Sequence, residues 1–257
     1  MQTLGSVPAA KGYFAAMKAV CERHGSLFIL DEVMSGMGRT GTLHAWEQEN
    51  VVPDLQTVAK GLGAGFAPIG ALLVNDRIVK QLEQGTGGFQ HSQTYQGHPI
   101  ACAAALEVQK IVQEEDLLAN VQKMGAYLCD SLKRRLEHHQ HVGDVRGRGL
   151  FWGVSILSSG HPSVSHCGLS CEQVEFVKDK ATKAPFPAEQ KVAPTVHAVA
   201  LQDHSLSLIP STGMANGRDG DIVQLAPPYN VTREEVDLIV ERTAAAIEQV
   251  LGPSSDP

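Results

Sequence analysis

Two short apolar runs, Leu27 to Leu30 and Leu55 to Ala59, each end at a single ionisable residue, Asp31 and Lys60, and polar or glycine-containing sequence follows. Short apolar runs bounded in this way predict buried strands. Before them, Lys11 to His24 carries Phe14, Met17, Val20 and Cys21 at helical spacing, and Gly25 ends that helix. Ile69 to Val74 predicts a third strand. Helix, strand, loop and strand in this order predict an α/β layer with a largely parallel sheet.

Beyond Val74, the polar and glycine-rich stretch Gly85 to His98 reads as a loop. Pro99 to Glu115 predicts a helix opened by proline in its first turn, with Ile100, Ala104, Val108 and Ile111 on one face. Leu117 to Leu136 predicts a second helix, and VGDVRGRGLFWGV a turn and strand that open a smaller α/β domain. The run 178–187 reads as loop, Val192 to Leu201 as helix, and Leu206 to Pro210 and Ile222 to Ala226 as strands flanking the loop GMANGRDGD. Thr232 with Glu235 forms a capping box for a last helix, Arg233 to Leu251, striped with Val236, Ile239, Val240, Ala244, Ile247 and Val250. The domain division expected is 1–115 and 116–257.

Composition narrows the partners. The 257 residues are 43% hydrophobic, enough for a sizeable core, and carry a net charge of −7 from 21 basic and 28 acidic residues. With no Lys/Arg-rich run, neither nucleic acid nor an anionic membrane is an expected partner. No apolar run approaches the roughly 18 residues of a membrane span, and MQTLGSVPAAKG lacks a signal pattern. Cys21, Cys102, Cys129, Cys167 and Cys171 are odd in number and scattered, which argues against a disulfide framework and fits a reducing, cytoplasmic setting.

A lone carboxylate and a lone lysine at the C-terminal edge of neighbouring strands suit pyridoxal 5'-phosphate. Its aldehyde takes a lysine as a Schiff base, and its ring nitrogen wants an aspartate beside it. Gly61, Gly63 and Gly65 let backbone come close to the ring and phosphate. Taken singly, Asp31 with Glu32 could merely cap a strand, and Lys60 could be a surface lysine. The glycines of GLGAG do not meet the dinucleotide spacing, since Phe66 stands at the third position, and no GxxxxGK loop occurs.

Three motifs in order, ILDEVMSGMGRTG, PDLQTVAKGLGAGFAPIGALLV and HSQTYQGHPIACAAAL, closely resemble those of the class III pyridoxal-phosphate aminotransferases. The resemblance continues through VGDVRGRGLFWG and LAPPYNVTREEVD. It implies a fold-type I transferase with an incomplete large domain, of mostly parallel sheet, and a smaller C-terminal α/β domain. It also implies that Asp31 pairs with the pyridine nitrogen, Val33 packs on a ring face, Lys60 carries the aldimine, and Thr94 reaches the phosphate of the neighbouring subunit's cofactor. A homodimer follows, acting on a small-molecule amino donor and a keto acceptor.

The resemblance further implies that the chain starts in mid-domain, without the phosphate cup, the second ring-stacking aromatic residue and the EP glutamate. Two rival readings follow: another pyridoxal-phosphate reaction such as a racemase, mutase or decarboxylase, or a non-catalytic fragment that binds a complete subunit. In VQLAPP, Gln224 stands where many members carry the arginine that holds a substrate carboxylate. Either Arg218 or Arg148 supplies that charge, or the substrates are not simple α-acids.

SILSSGHPSVSHCGLSCEQ resembles nothing in the family, whereas the sequence closes up continuously when 154–173 is removed. Valine codons begin with GT and a glutamine codon can be CAG, so a retained intron is expected; as protein the segment would be a disordered loop. A zinc site from Cys167, Cys171, His161 and His166 ranks below that account. His138, His139 and His141 read as a solvated helix end rather than a metal site.

Overall fold

A computed structural model describes residues 6–154 and 184–253. The segment proposed as foreign lies outside the described residues save for Val154, as do His161, His166, Cys167 and Cys171. The chain divides into two compact units, one of residues 9–118 and one of residues 1–8 with 119–257.

The unit of residues 9–118 opens with α1 (Tyr13–Arg23), then β1 (Ile29–Asp31), β2 (Leu55–Val58) and β3 (Ala71–Val74), and ends with α2 (Asp76–Gln84) and α3 (Pro99–Glu114). Its sheet runs β1-β2-β3. β1 pairs with β2 in parallel, Asp31 opposite Thr57, whereas β2 and β3 are antiparallel, Leu55 opposite Val74. The sheet is therefore mixed, not mostly parallel. The twelve residues between β2 and β3 hold only the 3₁₀ turn Lys60–Leu62 and no helix to carry a crossover, and the chain turns back.

Burial in this unit also departs from the pattern. α1 has no buried residue, and Phe14, Met17, Val20 and Cys21 form no packed stripe. Ile29 of β1 and Leu72 and Leu73 of β3 are exposed. α3 turns Ala101, Ala105, Val108 and Val112 inward and leaves Ile100 and Ile111 exposed, a face displaced by one residue.

An ion pair ties the unit's elements together at the start of β1. The buried Asp54 carboxylate accepts from the Phe28 amide at 2.9 Å and from Arg77 Nε, on α2, at 2.7 Å. Burial pushes this carboxyl up, but the Phe28 amide and the Arg77 guanidinium together outweigh burial and hold it below its ordinary value.

The other unit holds the main apolar core. It contains α4 (Leu117–Leu136), β4 (Val145–Arg148), β5 (Phe151–Val154), α5 (Val192–His204), β6 (Ile209–Thr212), β7 (Asp221–Leu225) and α6 (Arg233–Leu251). The sheet is antiparallel throughout, in the order β4-β5-β7-β6. Leu128, Leu132 and Leu136, one turn apart on α4, are fully buried, each stabilising by about 1.5–3 kcal/mol. Val236, Val240, Ala244 and Ile247 of α6 complete the core. Thr232 and Glu235 close the capping box through Glu235 N to Thr232 Oγ1 at 3.2 Å and Thr232 N to Glu235 Oε2 at 2.8 Å.

His139 corrects the reading of a solvated helix end. It is fully buried; Nδ1 accepts from the His141 amide at 3.2 Å and Nε2 donates to the Gly252 carbonyl at 3.0 Å. That pairing needs one nitrogen bare and one protonated, a neutral ring. His138 stays exposed beside Glu137. Among the described residues no cluster of His, Cys, Asp or Glu could hold a metal ion, and no helix is long and apolar enough to cross a membrane.

The tightest packing in this unit is backbone on backbone. A Cβ on Gly125 of α4 would lie 2.2 Å from the carbonyl oxygen of Gly149, which turns the chain from β4 to β5 with φ +59°. Helix propensity alone favours Gly125→Ala by about 1 kcal/mol. The contact reverses that sign, and Gly125→Ala is expected to destabilise the chain by about 1–3 kcal/mol. The urea midpoint of the variant checks it; a rise would show that the turn gives way freely.

Candidate active site

The parallel pairing of β1 and β2 brings both C-terminal ends to one sheet edge, where ligands bind in open α/β sheets. Asp31 is the last residue of β1, and Lys60 follows β2 by two residues. Asp31 Oδ1 accepts from the Val33 amide at 3.0 Å and from Thr57 Oγ1 at 3.2 Å. The Glu32 amide donates to the Thr57 carbonyl at 2.9 Å and extends the ladder one residue further. Val33 is half-buried just beyond it.

Side chains alternate across a sheet, so the next residues face the other way. There Glu32, only 4% exposed, accepts from three donors at 2.8 Å each: the Ala45 and Trp46 amides and Gln56 Nε2. The two amides open the 3₁₀ turn Ala45–Glu49, whose unsatisfied N–H groups suit an anion. Gln56 Oε1 accepts from Trp46 Nε1 at 3.0 Å, and Gln56 Nε2 lies 3.0 Å from His44 Nδ1. An amide nitrogen can only donate there, so His44 Nδ1 is the acceptor. Burial pushes His44 down and Glu32 up from their ordinary values.

Lys60 is exposed and opens the short 3₁₀ turn Lys60–Leu62 with φ +38°, a left-handed conformation unusual for a side chain of its size. Such strain costs on the order of 1 kcal/mol and persists only where neighbours impose it. Two do so. The Lys60 carbonyl accepts from the Ala64 amide at 2.9 Å, and Gln109 Nε2 on α3 donates to the Gly61 and Leu62 carbonyls at 3.2 and 2.9 Å. At Gly63 a Cβ would lie 2.8 Å from Ile69 Cγ2 and 3.0 Å from the Ala67 carbonyl oxygen, so a side chain there would require Ile69 and the turn to shift.

Asp31, Val33 and Lys60 thus share one strand edge. Thr94 lies in the exposed turn ahead of α3. Gln224, on β7, is buried, with Nε2 3.5 Å from Ser6 Oγ. Arg218 is exposed and paired with Glu189, and Arg148, half-buried on β4, is engaged by its own neighbours. Gln56, Thr57, His44 and Gln109 carry no expectation from sequence, and Glu32 enters only beside Asp31 as an alternative strand cap. One signal was available: in LQTV two polar residues interrupt a strand that the pattern marks as buried, and each meets an acid at the end of β1.

Residues 3–247 match the family model described as Aminotransferase class-III. The chain belongs to the class III aminotransferases. An aminotransferase of Gibberella zeae is 48% identical over 97% of this chain and 45% of its own length. The diaminobutyrate--2-oxoglutarate transaminase of Halomonas elongata is 36% identical over 96% of this chain and 48% of its own. The crystal structure of a thermostable (S)-enantioselective omega-transaminase from Thermomicrobium roseum superposes with a TM-score of 0.79 at 38% identity, over 96% of this chain and 48% of that one. The α/β fold is theirs, and the chain spans about half the length of the relatives it matches.

Removing the Glu32 carboxylate strands two backbone amides and the Gln56 amide. Glu32→Ala is expected to cost about 2–4 kcal/mol. Because burial raises the Glu32 carboxyl above its ordinary 4.5, its contribution is full below that pH and declines as pH rises through the raised value. The gap in urea midpoint between wild type and Glu32→Ala should therefore narrow from pH 4 toward pH 7. A gap that widens would contradict the assignment.

Proposed function

We propose that this chain carries the catalytic lysine and ring-binding aspartate of a pyridoxal-phosphate-dependent aminotransferase, which moves an amino group from an amine or amino acid to a keto acid or aldehyde. The observation that carries this is the convergence of Asp31 and Lys60 on one edge of a parallel strand pair in a class III aminotransferase chain. The residues fit the cofactor: one carboxylate held by two donors, one amine displayed on constrained backbone, and a turn closely packed at Gly63.

When bound, pyridoxal phosphate supplies an aldehyde for the amine and a protonated ring that spreads carbanion charge. Lys60 Nζ would hold the aldehyde carbon. The same amine, when not holding the aldehyde, would serve as the base that takes the donor's Cα proton and returns it. Asp31 would keep the proton on the ring nitrogen, and Val33 would pack against the ring face. Thr94 would serve the phosphate of a neighbouring subunit's cofactor, making the working unit a homodimer. In this reading 1–115 is part of the cofactor-binding domain, 116–257 is the small domain, and the setting is cytoplasmic.

The purified chain mixed with pyridoxal phosphate should show a visible absorbance band, and borohydride followed by peptide mapping should place the label on Lys60. Lys60→Ala should lose band and label together. A colourless chain, or label spread evenly over other lysines, would overturn the proposal.

A further inference from the structure

We propose that Thr57 is a positioning residue that sets the orientation of the Asp31 carboxylate toward the cofactor ring. The inference rests on the reading of Asp31 given above and adds a residue to it.

Three observations carry the argument. Thr57 is the register partner of Asp31 across the parallel β1/β2 pair, so the two side chains leave the sheet on the same face. The Thr57 hydroxyl donates to Asp31 Oδ1 at 3.2 Å, and the Thr57 carbonyl accepts from the Glu32 amide at 2.9 Å, so one residue holds the Asp31 side chain and the backbone of the residue that follows it. On the opposite face the Gln56 amide bonds the Glu32 carboxylate at 2.8 Å, which keeps β2 from slipping against β1 and carrying the hydroxyl away.

Asp31 is exposed, and an exposed aspartate samples several rotamers. The Val33 amide, two residues on, fixes one oxygen from its own loop. The Thr57 hydroxyl fixes the same oxygen from the neighbouring strand. A β-branched residue is stiff at χ1, so the donor arrives already aimed. Two donors from different directions hold both rotamer and carboxylate plane, and a group held in advance needs no reordering when its partner arrives. Any β-branched residue at 57 would satisfy the strand; only a hydroxyl orients the acid.

The test compares Thr57→Val, which keeps the branched shape and deletes the donor, with Thr57→Ser, which keeps the donor. Asp31→Asn is the control for the underlying reading. Each chain is titrated with pyridoxal phosphate, following the visible band, and the band of each loaded chain is then titrated with pH. Thr57→Val should bind roughly tenfold more weakly, as expected for a lost bond to a charged acceptor. Its pH midpoint should move in the same direction as that of Asp31→Asn, by less, with the urea midpoint unchanged. Thr57→Ser should restore affinity and pH midpoint.

The proposal fails if Asp31→Asn shifts the band while Thr57→Val behaves as wild type, or if Thr57→Ser behaves as Thr57→Val. If Thr57→Val does not fold, Thr57→Cys, with a weak donor of similar size, decides by the same two readouts. A normal band and pH midpoint in Asp31→Asn would instead overturn the reading of Asp31 itself, and the proposal with it. So would a wild-type chain without a band.

Discussion

The register between β1 and β2 is the constraint on which the candidate site depends. Asp31 opposite Thr57 puts an acid and a hydroxyl on one face, and the same register puts Glu32 diagonal to Gln56 on the other. A slip of one residue would turn Thr57 away from Asp31 and present Gln56 to it. The Phe28 amide bonded to Asp54 fixes the near end of the strand pair, and Glu32 fixes the far end. Register here is held by buried polar groups whose alternatives all leave donors unpaired.

The two units solve the problem of stability differently. Residues 121–251 supply the main apolar core, with long aliphatic stripes on α4 and α6 closing over an antiparallel sheet. The unit of residues 9–118 relies on directional bonds: the Glu32 and Asp54 clusters and the Gln109 clamp on the Lys60 turn. Apolar packing tolerates small shifts, whereas hydrogen bonds fix atoms to within a few tenths of an ångström. The unit that presents Asp31 and Lys60 is the one built on the more exacting interaction.

Elements with a complete local signature were legible in the chain. Helices α4 and α6 begin and end where the apolar period and the Thr232 capping box place them. The placement of Asp31 and Lys60 at one strand edge also followed from sequence, since it needs only two strands and their direction. Failures came where tertiary context decides. The α3 face lies one residue over from the expected one, with Ala101 and Ala105 buried and Ile100 exposed. The direction of β3 turns on whether the connection after β2 holds a crossover helix, which its twelve residues leave open. The Glu32 network escaped notice because its donors, Ala45, Trp46 and Gln56, come from three separate stretches that no local spacing links.

The back-to-back arrangement of polar pairs also bears on how such a site can diverge. Asp31 and Thr57 lie on the outer face of the candidate site, while Glu32 and Gln56, their immediate chain neighbours, are buried. Substitutions on the outer face can therefore be explored while the inner pair holds the strands in place. Two adjacent acids in one tripeptide are thereby free to evolve at different rates, the first with the reaction and the second with the scaffold.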